Sequence, residues 1–157
     1  MFSKQKGFLK DYLNSDKRIL ITGGAGFIGG ALVRKLLEES SLKIYNLDKL
    51  SYSSDLTSIN QKLKKIGEKR NQDYYFMNLD LSNFKLTQEA IQNADPDLIF
   101  HLAAESHVDR SIDNPEIFIQ SNVIGTFNIL QSSLEHFRRL EPKRKSNFRF
   151  HHVSTDE

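Results

Sequence analysis

Short apolar runs alternate with longer segments of helical periodicity along most of this chain. Compact runs rich in β-branched and aromatic residues predict strands, and they lie at 18–22, 43–48, 73–79, 97–103 and 148–154. Between these runs, apolar residues recur every three or four positions with charged residues among them, as in amphipathic helices. The helices predicted in this way lie at 27–40, 53–70, 84–94 and 115–140.

Near-continuous apolar strands that alternate with helices are typical of a parallel sheet covered on both faces. The pattern therefore predicts an α/β domain of the doubly wound, Rossmann type over residues 18–157, with five strands in the order 3-2-1-4-5. The last strand is expected to be buried. Residues 1–17, "MFSKQKGFLKDYLNSDK", form a polar N-terminal extension to which the sequence assigns no role.

Composition narrows the class of protein. The 22 basic and 20 acidic residues leave a net charge of +2, which argues against nucleic acid or a membrane as a partner. The chain has no cysteine and no closely spaced pair of histidines on one helix face, so no metal site is predicted. The N-terminus lacks the continuous apolar stretch of a secretory signal, and a cytoplasmic protein is expected.

A glycine-rich stretch, "ITGGAGFIGG", joins the first strand to the first helix. Gly24, Gly26 and Gly29 satisfy GxGxxG, and Gly23, Gly26 and Gly29 satisfy GxxGxxG. Glycines there let the backbone approach a diphosphate, which the helix N-terminus attracts. Asp48 ends the second strand, where a carboxylate accepts hydrogen bonds from a ribose diol and repels a 2′-phosphate, so NAD is favoured over NADP. The alternative is a structural turn followed by a solvated strand end.

Two further residues, Lys49 and Asp80, bear on the hypothesis that this region binds NAD. Lys49 follows Asp48 directly, and its positive charge could soften the preference for NAD. Asp80, in "NLDLSN", follows the third strand at the side of the crevice that faces an adenine. Position alone leaves Asp80 open between a cofactor contact and a solvated or capping carboxylate.

The loop after the fourth strand, "HLAAESHVDRSI", is dense in polar residues. Small residues at the strand end would let a flat cofactor lie against the backbone. Ligand contacts are expected in such a loop, although Asp109 or Ser111 could merely cap turns and Arg110 could pair with Asp109. His101, inside the strand, is expected to be packed and not catalytic.

Five stretches together carry a resemblance to a known family: "ITGGAGFIG", "NLDKLSY", "HLAAESHVDRSI", "FIQSNVIGT" and "FHHVSTDE". From Arg18 to Glu157 the chain resembles the nucleotide-sugar branch of the extended short-chain dehydrogenase/reductase superfamily, and within it the dTDP-glucose 4,6-dehydratases. The first stretch is shared across the superfamily. The third stretch and the final "STDE" are narrower and indicate the dehydratases.

The resemblance implies a set of contacts to NAD that runs from the diphosphate through the adenosine to the nicotinamide. The implied residues are Gly23, Gly26, Phe27, Ile28, Gly29, Asp48, Lys49, Leu50, Ser51, Asp80, Leu81, Leu102, Ala103, Ala104, Glu105, Ser106 and Ser121.

The resemblance also implies a nucleotide-sugar substrate, dTDP-glucose, and places catalysis at the end of the chain. Ser106 and Thr155 would touch the hexose, with Thr155 assisting at its 4-hydroxyl, Asp156 acting as general acid and Glu157 as general base. Oxidation at carbon 4 acidifies the hydrogen on carbon 5. Removing that proton needs a base and expelling the carbon 6 hydroxyl needs an acid, and two neighbouring carboxyls can divide these roles if their surroundings separate their pKa values.

The chain departs from the family pattern in one respect. The family has a Tyr-xxx-Lys pair at a position that would follow Glu157. The one match to that spacing in this chain, Tyr45 with Lys49, lies on the second strand. The chain is therefore expected to be an N-terminal fragment without a substrate domain, inactive by itself. Alternatives are a related dehydratase, epimerase or decarboxylase, and a module that binds NAD without chemistry. A homodimer is expected for the longer protein, through the helix within 118–137.

Overall fold

A computed structural model describes residues 13, 15–107 and 112–154 of the chain. Within these residues, five parallel strands form one sheet in the order β3-β2-β1-β4-β5. The strands are β1 (Arg18–Thr22), β2 (Lys43–Asp48), β3 (Tyr74–Asn78), β4 (Leu98–His101) and β5 (Arg149–His152). The predicted fold class and strand order are confirmed.

Helices connect the strands. They are α1 (Phe27–Glu39), α2 (Thr57–Ile66), α3 (Glu68–Asn71), α4 (Phe84–Ala94), α5 (Pro115–Phe118), α6 (Thr126–Arg139) and α7 (Pro142–Asn147). A π-helix, Ile119–Gly125, joins α5 to α6. No helix among the described residues combines the length and apolar character that crossing a membrane requires.

Alternate residues of β1 point into two separate cores, one on each face of the sheet. Ile19 and Ile21 pack with apolar residues of α1 and α2, including Val33. Leu20 packs on the other face with α4 and α6, including Ile129. Because β1 is central and covered on both sides, its near-continuous apolar sequence follows from its position.

Two predicted helices differ from the observed ones. The segment 53–70 is divided into α2 and α3 at Gly67, whose φ of 88° interrupts a right-handed helix and favours glycine. The segment 115–140 runs as α5, the π-helix and α6, so its middle turns are wider than predicted.

The prediction that the fifth strand is buried was wrong. Arg149, His151 and His152 are exposed, and Phe150 is half-buried. Within the described residues β5 pairs with β4 alone and so lies at an edge of the sheet.

The end of the sheet where the strands begin is fixed by an ion-pair cluster. The Arg144 guanidinium donates to both carboxylate oxygens of Asp95 at 3.0 Å and to Asp97 Oδ1 at 2.8 Å. Arg18 pairs with Asp95 at 2.7 Å. Since charge-assisted bonds of this geometry are among the stronger hydrogen bonds, the cluster ties α7 to β1 and to the turn before β4.

His101 is fully buried at the end of β4, as its predicted packing role requires. Its Nδ1 lies 2.7 Å from Thr22 Oγ1, and its Nε2 lies 3.0 Å from Thr126 Oγ1. Burial and, to a smaller extent, the nearby His152 lower the pKa of His101 from 6.5 to about 4. The neutral ring therefore joins β1, β4 and α6 through two hydroxyl groups.

This burial predicts a pH dependence of stability. The unfolded chain binds the proton of His101 more tightly than the folded protein, so stability falls as pH drops from about 6.5 toward about 4. When the pH is lowered from about 7.5 to about 5, both proteins lose free energy of unfolding. The loss is expected to be about 2 kcal/mol smaller in His101→Gln than in the wild type. Urea unfolding at the two pH values measures this difference.

His107→Gln, which removes an exposed imidazole, is the matched control and should keep the wild-type pH dependence. In the wild type, NMR resonances of the His101 ring should not titrate above about pH 5. A His101 ring that titrates near its usual pKa would contradict the burial argument.

Candidate functional site

The loops that follow the first four strands converge on one cleft at the carboxyl edge of the sheet. The lining residues are Gly23, Gly26, Leu47, Asp48, Lys49, Ser51, Ser53, Ser54, Leu79, Asp80, Leu81, Leu102, Ala103, Ala104, Glu105 and Ser121. Most of the residues implied for NAD are in this set, although they come from five separate segments of the sequence. Carboxyl ends of parallel strands are where open α/β sheets bind their ligands.

The glycine turn after β1 is packed too tightly for side chains. Gly23 has a φ of 70°, and a Cβ there would lie 2.7 Å from the Ala103 backbone. A Cβ at Gly29 would overlap the carbonyl of Gly23. The turn therefore holds β1, α1 and the loop after β4 at contact distance, which requires glycine at both positions.

The first turn of α1 is suited to an anion. Within the part of the chain that the structure describes, its N-cap, Gly26, makes no side-chain capping bond, and the turn contains no acidic residue. The first N–H groups of a helix lack partners inside the helix and carry partial positive charge. This helix end can donate hydrogen bonds to a phosphate.

Asp48 is buried and organises the loops on either side of it. Its Oδ2 accepts from the Ala25 backbone N–H at 2.9 Å. Its Oδ1 accepts from the Leu50 N–H at 2.8 Å and from Ser54 Oγ at 2.9 Å. A carboxylate offers about four acceptor positions, so Asp48 retains about one for a ligand.

Lys49 lies between three polar side chains. Its Nζ is 3.2 Å from Glu105 Oε1 and 4.0 Å from Asp80 Oδ2, and it donates to Ser121 Oγ at 3.0 Å. The Glu105 carboxylate is 8% exposed and the Lys49 side chain 28%. This arrangement joins the loop after β2 to the loop after β4 and to the π-helix.

Two asparagines that the sequence reasoning missed hold the cleft loops. Asn122 accepts from the Glu105 N–H at 2.8 Å and donates to the Glu105 carbonyl at 2.9 Å. Asn128 donates to the carbonyls of Leu81 and Ser82 at 2.8 and 3.0 Å. The available signal was "SNVIGTFN", in which polar residues interrupt an apolar helical stripe on the side that meets the sheet.

Other expected residues lie away from the lining. Phe27, Ile28, Leu50 and Ser106 have exposed side chains, and Gly29 is buried beneath the turn. The first two begin α1, so their backbone N–H groups remain available to a phosphate. The cleft also contains residues that were not predicted: Leu47, Ser53, Ser54 and Leu79.

Several expected residues fall outside the described part of the chain. They are Asp109, Arg110, Ser111, Thr155, Asp156 and Glu157. Among the described residues, no group of three or more acidic or histidine side chains is arranged to hold a metal ion.

A second hollow of about 450 Å³ adjoins the cleft. Its lining residues are Lys49, Ser51, Tyr52, Glu105, Asp113, Asn114, Ile117 and Phe118. Lys49, Ser51 and Glu105 line both spaces, so the Lys49–Glu105 ion pair lies at their boundary.

The profile of a protein family described as GDP-mannose 4,6 dehydratase matches residues 20–157. The chain belongs to this family. It is 42% identical to the dTDP-glucose 4,6-dehydratase of Salmonella typhimurium over 140 residues, which cover 89% of this chain and 37% of that protein. The chain thus spans little more than a third of the length of the curated relatives that it matches.

Solved structures of a dehydratase and of an epimerase superpose on the chain. A dTDP-glucose 4,6-dehydratase from Bacillus anthracis, in complex with NAD, superposes with a TM-score of 0.66 at 32% identity, covering 88% of this chain and 37% of that chain. The UDP-Glc/GlcNAc 4-epimerase of Campylobacter jejuni gives the same TM-score at 29% identity, covering 76% of this chain and 34% of that chain. The chain therefore has the fold of the segment that dehydratases and epimerases share.

The tight packing of the glycine turn predicts unequal effects of two alanine substitutions. Gly29→Ala places a methyl group against the Gly23 carbonyl, and we expect a loss of about 1–3 kcal/mol in the free energy of unfolding. The matched control is Gly30→Ala in the next position of the helix, where the Cβ would meet the end of the Arg34 side chain at 3.3 Å and the Gly24 carbonyl oxygen at an ordinary contact distance of 3.6 Å. Its stability should be equal or higher by up to about 1 kcal/mol. Equal losses in denaturant unfolding would contradict the packing argument.

Proposed function

We propose that the cleft binds NAD and that the protein to which this segment belongs is a dTDP-glucose 4,6-dehydratase. The observation that carries the proposal is the convergence of the glycine turn, Asp48, Asp80 and the loop after β4 on a single cleft. The relatives support the same activity, since the proteins similar over most of this chain are named as dTDP-glucose 4,6-dehydratases.

The cleft suits the separate parts of a dinucleotide. The uncapped first turn of α1 can donate hydrogen bonds to the diphosphate. Asp48 has about one acceptor position left for a ribose hydroxyl, because its other positions accept from protein donors. Ala103 and Ala104 leave space at the end of β4 for a flat ring.

The proposed chemistry divides between the cofactor and the end of the chain. When bound, NAD would supply the hydride acceptor for carbon 4 of the sugar and the hydride donor for carbon 6. Glu157 would remove the proton from carbon 5, and Asp156 would protonate the departing carbon 6 hydroxyl. Thr155 would assist at the 4-hydroxyl, with Ser106 beside the hexose.

The sheet register brings the end of β5 to the edge of the sheet at which the cleft lies. His152, at the end of β5, is paired with His101, after which the β4 loop enters the cleft. Because β4 and β5 are parallel, the chain leaves β5 at the carboxyl edge, on the side of the sheet where the glycine turn lies.

An epimerase is the second candidate, because a UDP-sugar 4-epimerase superposes on this chain as well as a dehydratase does. Epimerases oxidise the same carbon without eliminating water. Adjacent carboxyls at positions 156 and 157 favour the dehydratase, since elimination needs both an acid and a base.

The proposal predicts NAD binding without turnover for this chain, and turnover in a chimaera. Calorimetry should detect saturable NAD binding by residues 1–157, with no conversion of dTDP-glucose, because the one Tyr-xxx-Lys match, Tyr45 with Lys49, lies on and directly after β2, where the adenosine and not the nicotinamide would bind. A chimaera that joins residues 1–157 to the remaining sequence of the Salmonella typhimurium relative should release the 4-keto-6-deoxy product. Asp156→Asn and Glu157→Gln in the chimaera should each lower kcat by about 10²–10⁴-fold.

The variants should keep the NAD affinity of the parent chimaera, which separates a chemical role from a folding defect. Asp55→Asn is the matched control, because Asp55 is an exposed aspartate outside the cleft lining. Absence of NAD binding by the chain, or formation of a 4-epimer instead of the dehydrated product, would contradict the proposal.

We also propose that two copies of the longer protein associate through the α5–π–α6 segment. Seven apolar side chains on it are 37–61% exposed, and most recur every three or four residues, as in one helical stripe. They are Ile117, Ile119, Val123, Ile124, Phe127, Leu130 and Leu134.

This surface predicts the effect of a charge at its centre. Phe127 is 61% exposed, and Phe127→Glu is expected to weaken self-association by at least about tenfold in sedimentation equilibrium, because the carboxylate would be desolvated in the interface. Phe84→Glu, on α4, is the matched control and should associate like the wild type. A wild-type chain that stays monomeric at high concentration would contradict this surface as the interface.

A further inference from the structure

Charge in the cleft is distributed unevenly. Three carboxylates belong to its described lining, those of Asp48, Asp80 and Glu105, and the single cation in that lining is Lys49. A lysine immediately after the acidic residue of β2 is well placed for the 2′-phosphate of NADP, because cations next to that position accept this group in dinucleotide-binding folds. Sequence position alone would therefore make Lys49 a contact for NADP.

In the structure, however, the Lys49 ammonium group contacts protein side chains. Its Nζ lies 3.2 Å from Glu105 Oε1 and donates to Ser121 Oγ at 3.0 Å. Asp80 Oδ2, at 4.0 Å, adds a second negative charge on the same side. The ammonium group is thus surrounded by protein acceptors at the boundary between the cleft and the second hollow.

Glu105 is held firmly in this position. Asn122 pairs with both its backbone N–H and its carbonyl, at 2.8 and 2.9 Å. Its side chain is 8% exposed, so water solvates the carboxylate poorly. Removing one partner of a buried ion pair leaves the other charge uncompensated, which is costly. A ligand that attracts Lys49 away from Glu105 must bear that cost.

From this arrangement we propose that Glu105 determines the choice of dinucleotide: by pairing with Lys49, it withholds the cleft's cation from the 2′-phosphate of NADP. The inference rests on the proposed function, in which the cleft binds NAD. Asp48 repels the phosphate directly, and Glu105 removes the group that would otherwise attract it. The two carboxylates then act on the same phosphate by different routes.

Calorimetric titration with NAD and NADP tests the proposal in wild type, Glu105→Gln, Lys49→Met and the double variant. Glutamine keeps the shape of the side chain but has no charge to pair with Lys49. In Glu105→Gln, the ratio of the NADP Kd to the NAD Kd should fall by about tenfold or more. In the double variant the ratio should return toward the wild-type value, because the freed ammonium group is gone.

Glu39→Gln is the matched control, since it removes a carboxylate at the end of α1, outside the cleft lining. Its ratio should equal that of the wild type. Circular dichroism and thermal melting show whether each variant is folded. If Glu105→Gln does not fold, Glu105→Ala takes its place. If neither replacement folds, Glu105→Met provides the test, because an uncharged side chain of similar length fits a position that is 8% exposed.

The outcomes separate this inference from the proposed function. A wild type that binds neither dinucleotide overturns the proposed function. If the wild type binds NAD but the ratio does not change in Glu105→Gln, the inference alone is overturned. It is also overturned if the ratio falls equally in Glu105→Gln and in the double variant, because the effect would then be general charge removal and not release of Lys49.

Discussion

The hydrogen bonds of the Asp48 carboxylate hold together the loops after β1 and β2 that line the cleft. One oxygen accepts from the Ala25 N–H in the glycine turn, and the other accepts from Leu50 and Ser54 in the loop after β2. Asp48 therefore serves as a structural link between two loops before it serves as a contact to any ribose.

One helical segment positions the remaining cleft loops. From the π-helix and α6, Asn122 holds the loop after β4, Asn128 holds the loop after β3, and Ser121 contacts the lysine after β2. A π-helix turn is wider than an α-helical turn and often occurs at functional sites. Here it begins at Ile119, where the helix passes the cleft, and ends at Gly125, which packs against Leu81.

Local sequence patterns predicted the parallel sheet and its strand order because each strand and each helix has its own periodicity. They also predicted the glycine turn and Asp48, whose spacing is local. They could not predict the Lys49 contacts, because Lys49 and Ser121 are 72 positions apart. The predicted strand order placed β5 at an edge, but the expected burial of this strand was wrong, because Arg149, His151 and His152 are exposed.

The two ends of the sheet satisfy their polar groups to different degrees. At the end where the strands begin, Arg70 donates to the carbonyls of Leu36, Leu37 and Leu42. At the carboxyl edge, the first turn of α1 has no side-chain cap, and within the described residues the buried Asn46 Oδ1 has no hydrogen-bond partner.

That amide oxygen lies close to where a Cβ at Gly24 would be, so a side chain at Gly24 would require the Asn46 side chain to move. Unsatisfied and tightly packed groups reduce stability, and proteins concentrate such departures at functional sites. Of the two buried side-chain atoms without a hydrogen-bond partner among the described residues, Asn46 Oδ1 lies beside the glycine turn and Ser132 Oγ lies within α6. Together with the uncapped first turn of α1, the unpaired Asn46 oxygen is a departure of the kind expected at a ligand site.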